Sequence, residues 1–138
     1  MVKYLLRENL GFWGRLRWRV ESAGTSAGAG KPITFDAKLA LAEKGIASND
    51  HLSRRVTQDM LAGVHAVVCL TESHLSSLQQ IGLPATVKVF TLSVPDPFGQ
   101  PLPVYQKTRH EISRKLVHVL AALRGKPRDV MRARLETA

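Results

Sequence analysis

The chain has 138 residues, 44% of them hydrophobic, which is one domain's worth and enough to bury a core. Its 20 lysines and arginines against 11 acidic residues give a net charge of +9, pointing to an anionic partner (phosphorylated protein, nucleic acid or acidic membrane surface) without choosing among them. Cys69 is the only cysteine, which excludes an internal disulfide, a thiolate-only zinc site and a catalytic cysteine pair; with no charged-then-apolar leader and no apolar run of membrane-spanning length, a soluble cytoplasmic protein is expected.

Val2, Leu5, Leu6 and Leu10 fall near helical spacing and Gly11 follows as a stop, so residues 1–10 read as an amphipathic helix. Leu16, Trp18 and Val20 alternate with Arg17, Arg19 and Glu21, the period of a strand with one wet face, as at a sheet edge. Residues 22–30, rich in Gly, Ala and Ser and followed by Pro32, read as a loop. Phe35, Leu39 and Ala42 form a helical stripe closed by Gly45, and residues 57–63 a shorter helix. Ala66-Val67-Val68-Cys69-Leu70 is a continuous apolar run, fitting a strand buried on both faces. Residues 71–81 read as helix stopped by Gly82 and Pro84, residues 87–92 as strand, and residues 94–103, with four prolines, as a constrained loop. Tyr105, Ile112, Leu116, Val119, Leu120 and Leu123 keep one face of a long helix apolar up to Gly125. The basic tail at 126–138 reads as frayed or helical, outside a domain at 1–125. Strands alternating with helices argue an α/β domain with an open parallel sheet flanked by helices. Because the chain opens inside a helix followed by an edge-type strand, the sheet is expected to lack its first strand.

Four segments carry a family resemblance: Ser22-Ala23-Gly24-Thr25 after the first strand; Lys44-Gly45-Ile46 with His51, Arg54, Arg55 and Val56-Thr57; Val67-Val68-Cys69-Leu70 with Ser73-His74; and Asp96-Pro97-Phe98-Gly99 before the long helix. In this order and spacing, from about residue 2 to 123, the chain resembles the low-molecular-weight protein tyrosine phosphatases. The resemblance implies hydrolysis of phosphotyrosine on a protein substrate through a phosphocysteine, with no metal or organic cofactor and no membrane partner. It also implies that Asp96 is the general acid toward the departing phenolate and that Phe98 packs against the substrate ring.

The family's Cys-x5-Arg loop, whose backbone N–H groups and arginine hold phosphate while its thiolate attacks, is absent from the 138 residues. The expectation is that a strand and this loop lie upstream, and that the polypeptide as written is inactive. In the family that strand lies between those at 16–20 and 66–70, so its loss would leave two rows of backbone groups unpaired and the chain poorly folded.

Each assignment has a plainer counterpart. Asp-Pro initiates turns irrespective of chemistry, and Phe98 reads equally as an exposed loop aromatic. Cys69, between apolar neighbours, reads as a buried inert thiol rather than a nucleophile. The five histidines lack metal-ligand spacing, and His74 reads as structural, at a helix start. Arg124, Lys126, Arg128, Arg132 and Arg134 have no interleaved aromatics, which disfavours nucleic acid. Three rivals stay open: an arsenate reductase relative, which would need further cysteines; a non-catalytic phosphatase-like binding protein; and a nucleic-acid binder resting on charge alone.

Overall fold

In the computed structural model, which describes residues 1–26, 28–123 and 131–136, helices and strands alternate as the hydrophobic periods require. The order is α1 (Val2–Arg17), β1 (Trp18–Ala23), α2 (Phe35–Ala42), α3 (Gln58–Leu61), β2 (Ala66–Cys69), α4 (Glu72–Ile81), β3 (Lys88–Thr91), α5 (Leu102–Leu123) and β4 (Met131–Glu136). The four strands form one sheet, ordered β1-β4-β2-β3, with every neighbouring pair parallel. This is the open, helix-flanked α/β class the sequence implies.

The central strand comes from an unexpected place. β4 pairs with β1 from Trp18↔Met131 to Ala23↔Glu136, and with β2 from Ala66↔Ala133 to Val68↔Leu135. The frayed or helical reading of the basic tail is therefore corrected at 131–136, and the gap expected between β1 and β2 is filled from the far end of the chain. Residues 126–130 and 137–138 of that tail, and 124–125 before it, lie outside the described residues. The physical reason is that two facing rows of N–H and C=O groups accept any extended segment of the right length. Backbone pairing is indifferent to side-chain identity, and Met-Arg-Ala-Arg-Leu-Glu lacks the apolar run that marks β2.

Successive residues of β2 face opposite layers, as strand geometry demands. Ala66, Val68 and Leu70 join Val2, Leu5 and Leu6 of α1 and Leu116, Val119 and Leu120 of α5 in one cluster. Val67 and Cys69 join Leu61 and Leu78 from α3 and α4 on the other side. α3 and α4 start on threonine caps: Thr57 Oγ1 accepts from the Met60 N–H at 3.3 Å, and Thr71 Oγ1 from the His74 N–H at 3.4 Å.

Two local expectations change. Gly11 does interrupt the first helix, at φ 64° and ψ −174°, but helical backbone resumes to Arg17, so Leu16 belongs to α1 and the strand begins at Trp18. The Phe35–Leu39–Ala42 stripe faces solvent; α2 buries Ala37, Ala40 and Leu41 instead, with Ala37 and Ala40 against Tyr105 of α5. Small residues let α2 approach α5 closely, which a bulkier face would prevent.

Because β4 satisfies both neighbours, the 138-residue chain is expected to unfold in one cooperative transition, in contrast to the poor folding inferred from an empty gap. A chain ending at Leu123 should lose that transition, since each buried backbone group left unpaired costs about 1–3 kcal/mol against a domain stability of about 5–15 kcal/mol. Urea unfolding together with amide exchange at β1 and β2 checks this; equal protection in the shortened chain would contradict the central placement of β4.

Candidate functional site

All strands run the same way, so the carboxyl ends of β1, β4 and β2 lie together, the usual place for ligands in an open α/β sheet. A cleft of about 590 Å³ opens there, and among its walls are Met1, Ser22, Gly24, Asp96, Phe98 and Tyr105. α1 begins at this cleft, since Met1 and Val2 both line it.

The loop after β3 brings Asp96 and Phe98 to the opening. Its start is tied to the end of β2: the Leu92 N–H donates to the Cys69 carbonyl and the Val94 N–H to the Leu70 carbonyl, each at 2.9 Å. Lys115 of α5 donates its Nζ to the Leu92 and Ser93 carbonyls at 2.7 and 3.2 Å. Asp96 Oδ1 accepts the Phe98 N–H at 3.0 Å, and the turn closes when the Gln100 N–H donates to the Pro97 carbonyl at 2.9 Å. Gly99 takes φ 76°, a left-handed value that favours glycine. Pro97 is buried, while Asp96 is exposed and the Phe98 ring is 73% exposed, so the buried proline anchors a loop that presents both flanking side chains.

The opposite wall is the Gly-rich loop, and Ser53 pins it. Its Oγ accepts the Lys31 N–H at 2.9 Å and donates to the Gly28 carbonyl; its carbonyl accepts the Gly30 N–H at 2.7 Å. Arg54 donates its Nε to the Ser22 carbonyl at 2.9 Å and pairs with Glu21 at 3.1 Å. Deeper in, Thr34 Oγ1 donates to the buried Tyr105 hydroxyl at 3.3 Å.

Two histidines sit near the cleft. Burial holds His74 below its ordinary pKa, with the Asp96 charge opposing the shift, and its Nδ1 lies 3.1 Å from Thr71 Oγ1. His51, which lines the cleft, is also held low, chiefly by burial and then by the N-terminal and Lys3 charges, against Asp50. Cys69 is fully buried among the residues between β2 and α4 and does not line the cleft.

A family model for low molecular weight phosphotyrosine protein phosphatases matches residues 5–129. The chain belongs to this family. It is 31% identical to a protein-arginine-phosphatase of Geobacillus stearothermophilus, over 67% of this chain and 68% of the relative. A protein-arginine-phosphatase of Bacillus subtilis (strain 168) is 33% identical over 73% of each chain. Among solved structures, the low molecular weight protein tyrosine phosphatase of T. tengcongensis superposes with a TM-score of 0.79 at 28% identity, covering 88% of both chains.

Of the residues singled out by sequence, Asp96 and Phe98 meet at the cleft, whereas Cys69 stays in the core and His74 stands at the start of α4. Ser53, Arg54, Thr34 and Tyr105 were missed as wall residues. Arg54 had a signal, lying in the stretch that carries the family resemblance; Ser53 had none, because its role depends on a loop distant in sequence.

Both histidines have folded pKa values below the ordinary value of about 6.5, so the unfolded chain binds protons that the folded chain resists. Their contribution to stability is present above about pH 6.5 and is lost as pH falls through the folded values. Urea midpoints taken from about pH 7.5 down to 5.5 should therefore decline, and His74→Gln should flatten the decline; an unchanged slope in that variant would remove His74 from the account.

Proposed function

We propose that the cleft is a protein phosphatase site that takes a phosphorylated side chain, with Asp96 as general acid and Phe98 flanking the departing group. One observation carries the reading: Asp96 and Phe98 share a tethered loop at the cleft where the central strand ends and α1 begins. A strand that ends facing a helix start is the arrangement in which backbone N–H groups and a helix terminus can hold a phosphoryl group.

In the chemistry this implies, a thiolate attacks phosphorus and the bond to the substrate oxygen or nitrogen breaks. Asp96 supplies the proton that the leaving atom takes. Water then attacks the phosphocysteine while the Asp96 carboxylate accepts its proton, releasing phosphate and the thiolate. The 138 residues contain no Cys-x5-Arg sequence, and Cys69 is sealed in the core. On this reading the 138-residue polypeptide provides the acid and the entrance and does not turn substrate over by itself.

The substrate side chain has two readings. Family membership favours phosphotyrosine. The two arginine-phosphatase relatives favour phosphoarginine, as does the entrance loop Ser26-Ala27-Gly28-Ala29-Gly30, whose sequence offers no second aromatic to sandwich a phenyl ring with Phe98.

The 138-residue polypeptide is expected to hydrolyse neither p-nitrophenyl phosphate nor phosphotyrosine or phosphoarginine peptides; turnover abolished by Cys69→Ser would overturn the reading. A chimera in which a strand leading into a Cys-x5-Arg loop precedes Met1, with residues 124–138 removed to vacate the central position, is expected to be active. In it, Asp96→Asn should slow hydrolysis of a phosphorylated side chain by about 10²–10⁴-fold. A leaving group that departs readily as its anion should suffer less, whereas damage to the loop alone would slow both equally. The ratio of kcat/KM for phosphoarginine and phosphotyrosine peptides decides between the two substrates.

A further inference from the structure

Beside the cleft runs a second groove, of about 570 Å³, between α1 and the outer edge of β1. The two share Ser22, His51 and Arg54, so one continues into the other. Among the described residues, five cations line it, Lys3, Arg7, Arg17, Arg19 and Arg54, against two carboxylates, Glu21 and Asp50. Both carboxylates are engaged: Glu21 pairs with Arg19 at 2.6 Å and Arg54 at 3.1 Å, and Asp50 accepts the Tyr4 hydroxyl at 2.7 Å, which holds its pKa low. Lys3, Arg7 and Arg17 make no ion pair among the described residues.

Among the described residues, β1 has a strand neighbour only on its β4 side. At the other edge Gly24 pairs with the 54–56 segment, donating to the Arg54 carbonyl at 2.9 Å and accepting the Val56 N–H at 3.0 Å. In a parallel ladder alternate residues turn both backbone groups to the same edge, so Val20 and Ser22 also address the groove. The Ser22 carbonyl does so visibly, accepting from Arg54 Nε there. Arginines on an edge strand ordinarily keep copies of the same chain apart, and with a net charge of +9 this edge repels its own kind. The same cations attract an acidic strand.

We propose that this edge and groove dock an extended acidic segment flanking the modified residue of a phosphoprotein substrate. The segment pairs with the outward backbone groups of Val20 and with the Ser22 N–H, and its carboxylates face Lys3, Arg7 and Arg17 while the phosphorylated side chain enters the adjoining cleft. This rests on the phosphatase reading for the identity of the ligand, and on the groove alone for its affinity for an acidic strand.

Binding to the 138-residue chain is measured with an unphosphorylated peptide alternating glutamate and valine, against a glutamine counterpart, by amide shifts and calorimetry. The acidic peptide should shift the amides of residues 18–22 and weaken as salt rises from about 0.05 M to 0.5 M. Lys3→Glu with Arg7→Glu should weaken it roughly tenfold or more. Should that pair fail to fold, Arg17→Glu provides the same test. Asp96→Asn, which belongs to the cleft, should leave this binding unchanged. Equal binding of both peptides, or shifts confined to the cleft, would overturn the proposal. In the active chimera, phosphopeptides with acidic flanks should show a lower KM than neutral ones. Acidic-peptide binding in a chimera without turnover would sink the phosphatase reading and keep the groove, while turnover without flank preference would sink the groove and keep the phosphatase reading.

Discussion

The parallel backbone ladder joining β4 to β1 on one side and β2 on the other is the constraint from which the remaining architecture follows. Without it β1 and β2 would face one another across the width of a missing strand. α1 and α5 share one apolar cluster with side chains from β1 and β2, so their packing presupposes that spacing. The cleft depends on it too, since its floor lies where these strands end and α1 begins. Hydrogen bonding of main chain to main chain, rather than any side-chain contact, thus fixes the distance between the two halves of the molecule.

The acid-bearing loop shows how a mobile kind of element is made rigid. Residues 92 and 94 are bonded to the end of β2, and Lys115 reaches two carbonyls from α5. Between them Ser93 sits at φ 53°, a left-handed conformation that costs a non-glycine residue on the order of 1–3 kcal/mol. Those flanking bonds hold it there. The consequence is a sharp change of direction that carries the chain off the sheet and over the cleft, with Pro97 buried below and Asp96 exposed above.

What was legible in the sequence followed from periodicity and caps. The apolar run of β2, the glycine stops after α2, α3 and α4, and the proline-rich loop all have local causes, and those elements stand within a few residues of where the signals put them; α1, which runs past Gly11 to Arg17, does not. The α2 stripe misled because a short helix carries apolar residues on more than one face, and only its small face, Ala37 and Ala40, can approach Tyr105. β4 was illegible for a different reason: three of its six residues are charged, and its place is dictated by partners distant in sequence. The same holds in miniature for Ser53, whose bonds to Gly28, Gly30 and Lys31 no local pattern announces. The Asp-Pro-Phe-Gly motif was visible as a turn, and its meeting with the Gly-rich wall needed the fold.

The recruitment of the last strand in chain order to the middle of the sheet also sets a timetable. During synthesis α1, β1 and β2 all emerge before β4, and the ladder that joins β1 to β2 cannot form until 131–136 has been made and has threaded between them. Contacts between such distant parts of a chain are slow to form, because loop closure must precede any gain from pairing. Until then the nascent protein displays two open strand edges, the state most exposed to capture by chaperones or by neighbouring chains. A strand position held open until 131–136 has been made is also one for which a competing segment, present earlier, would have the advantage of time.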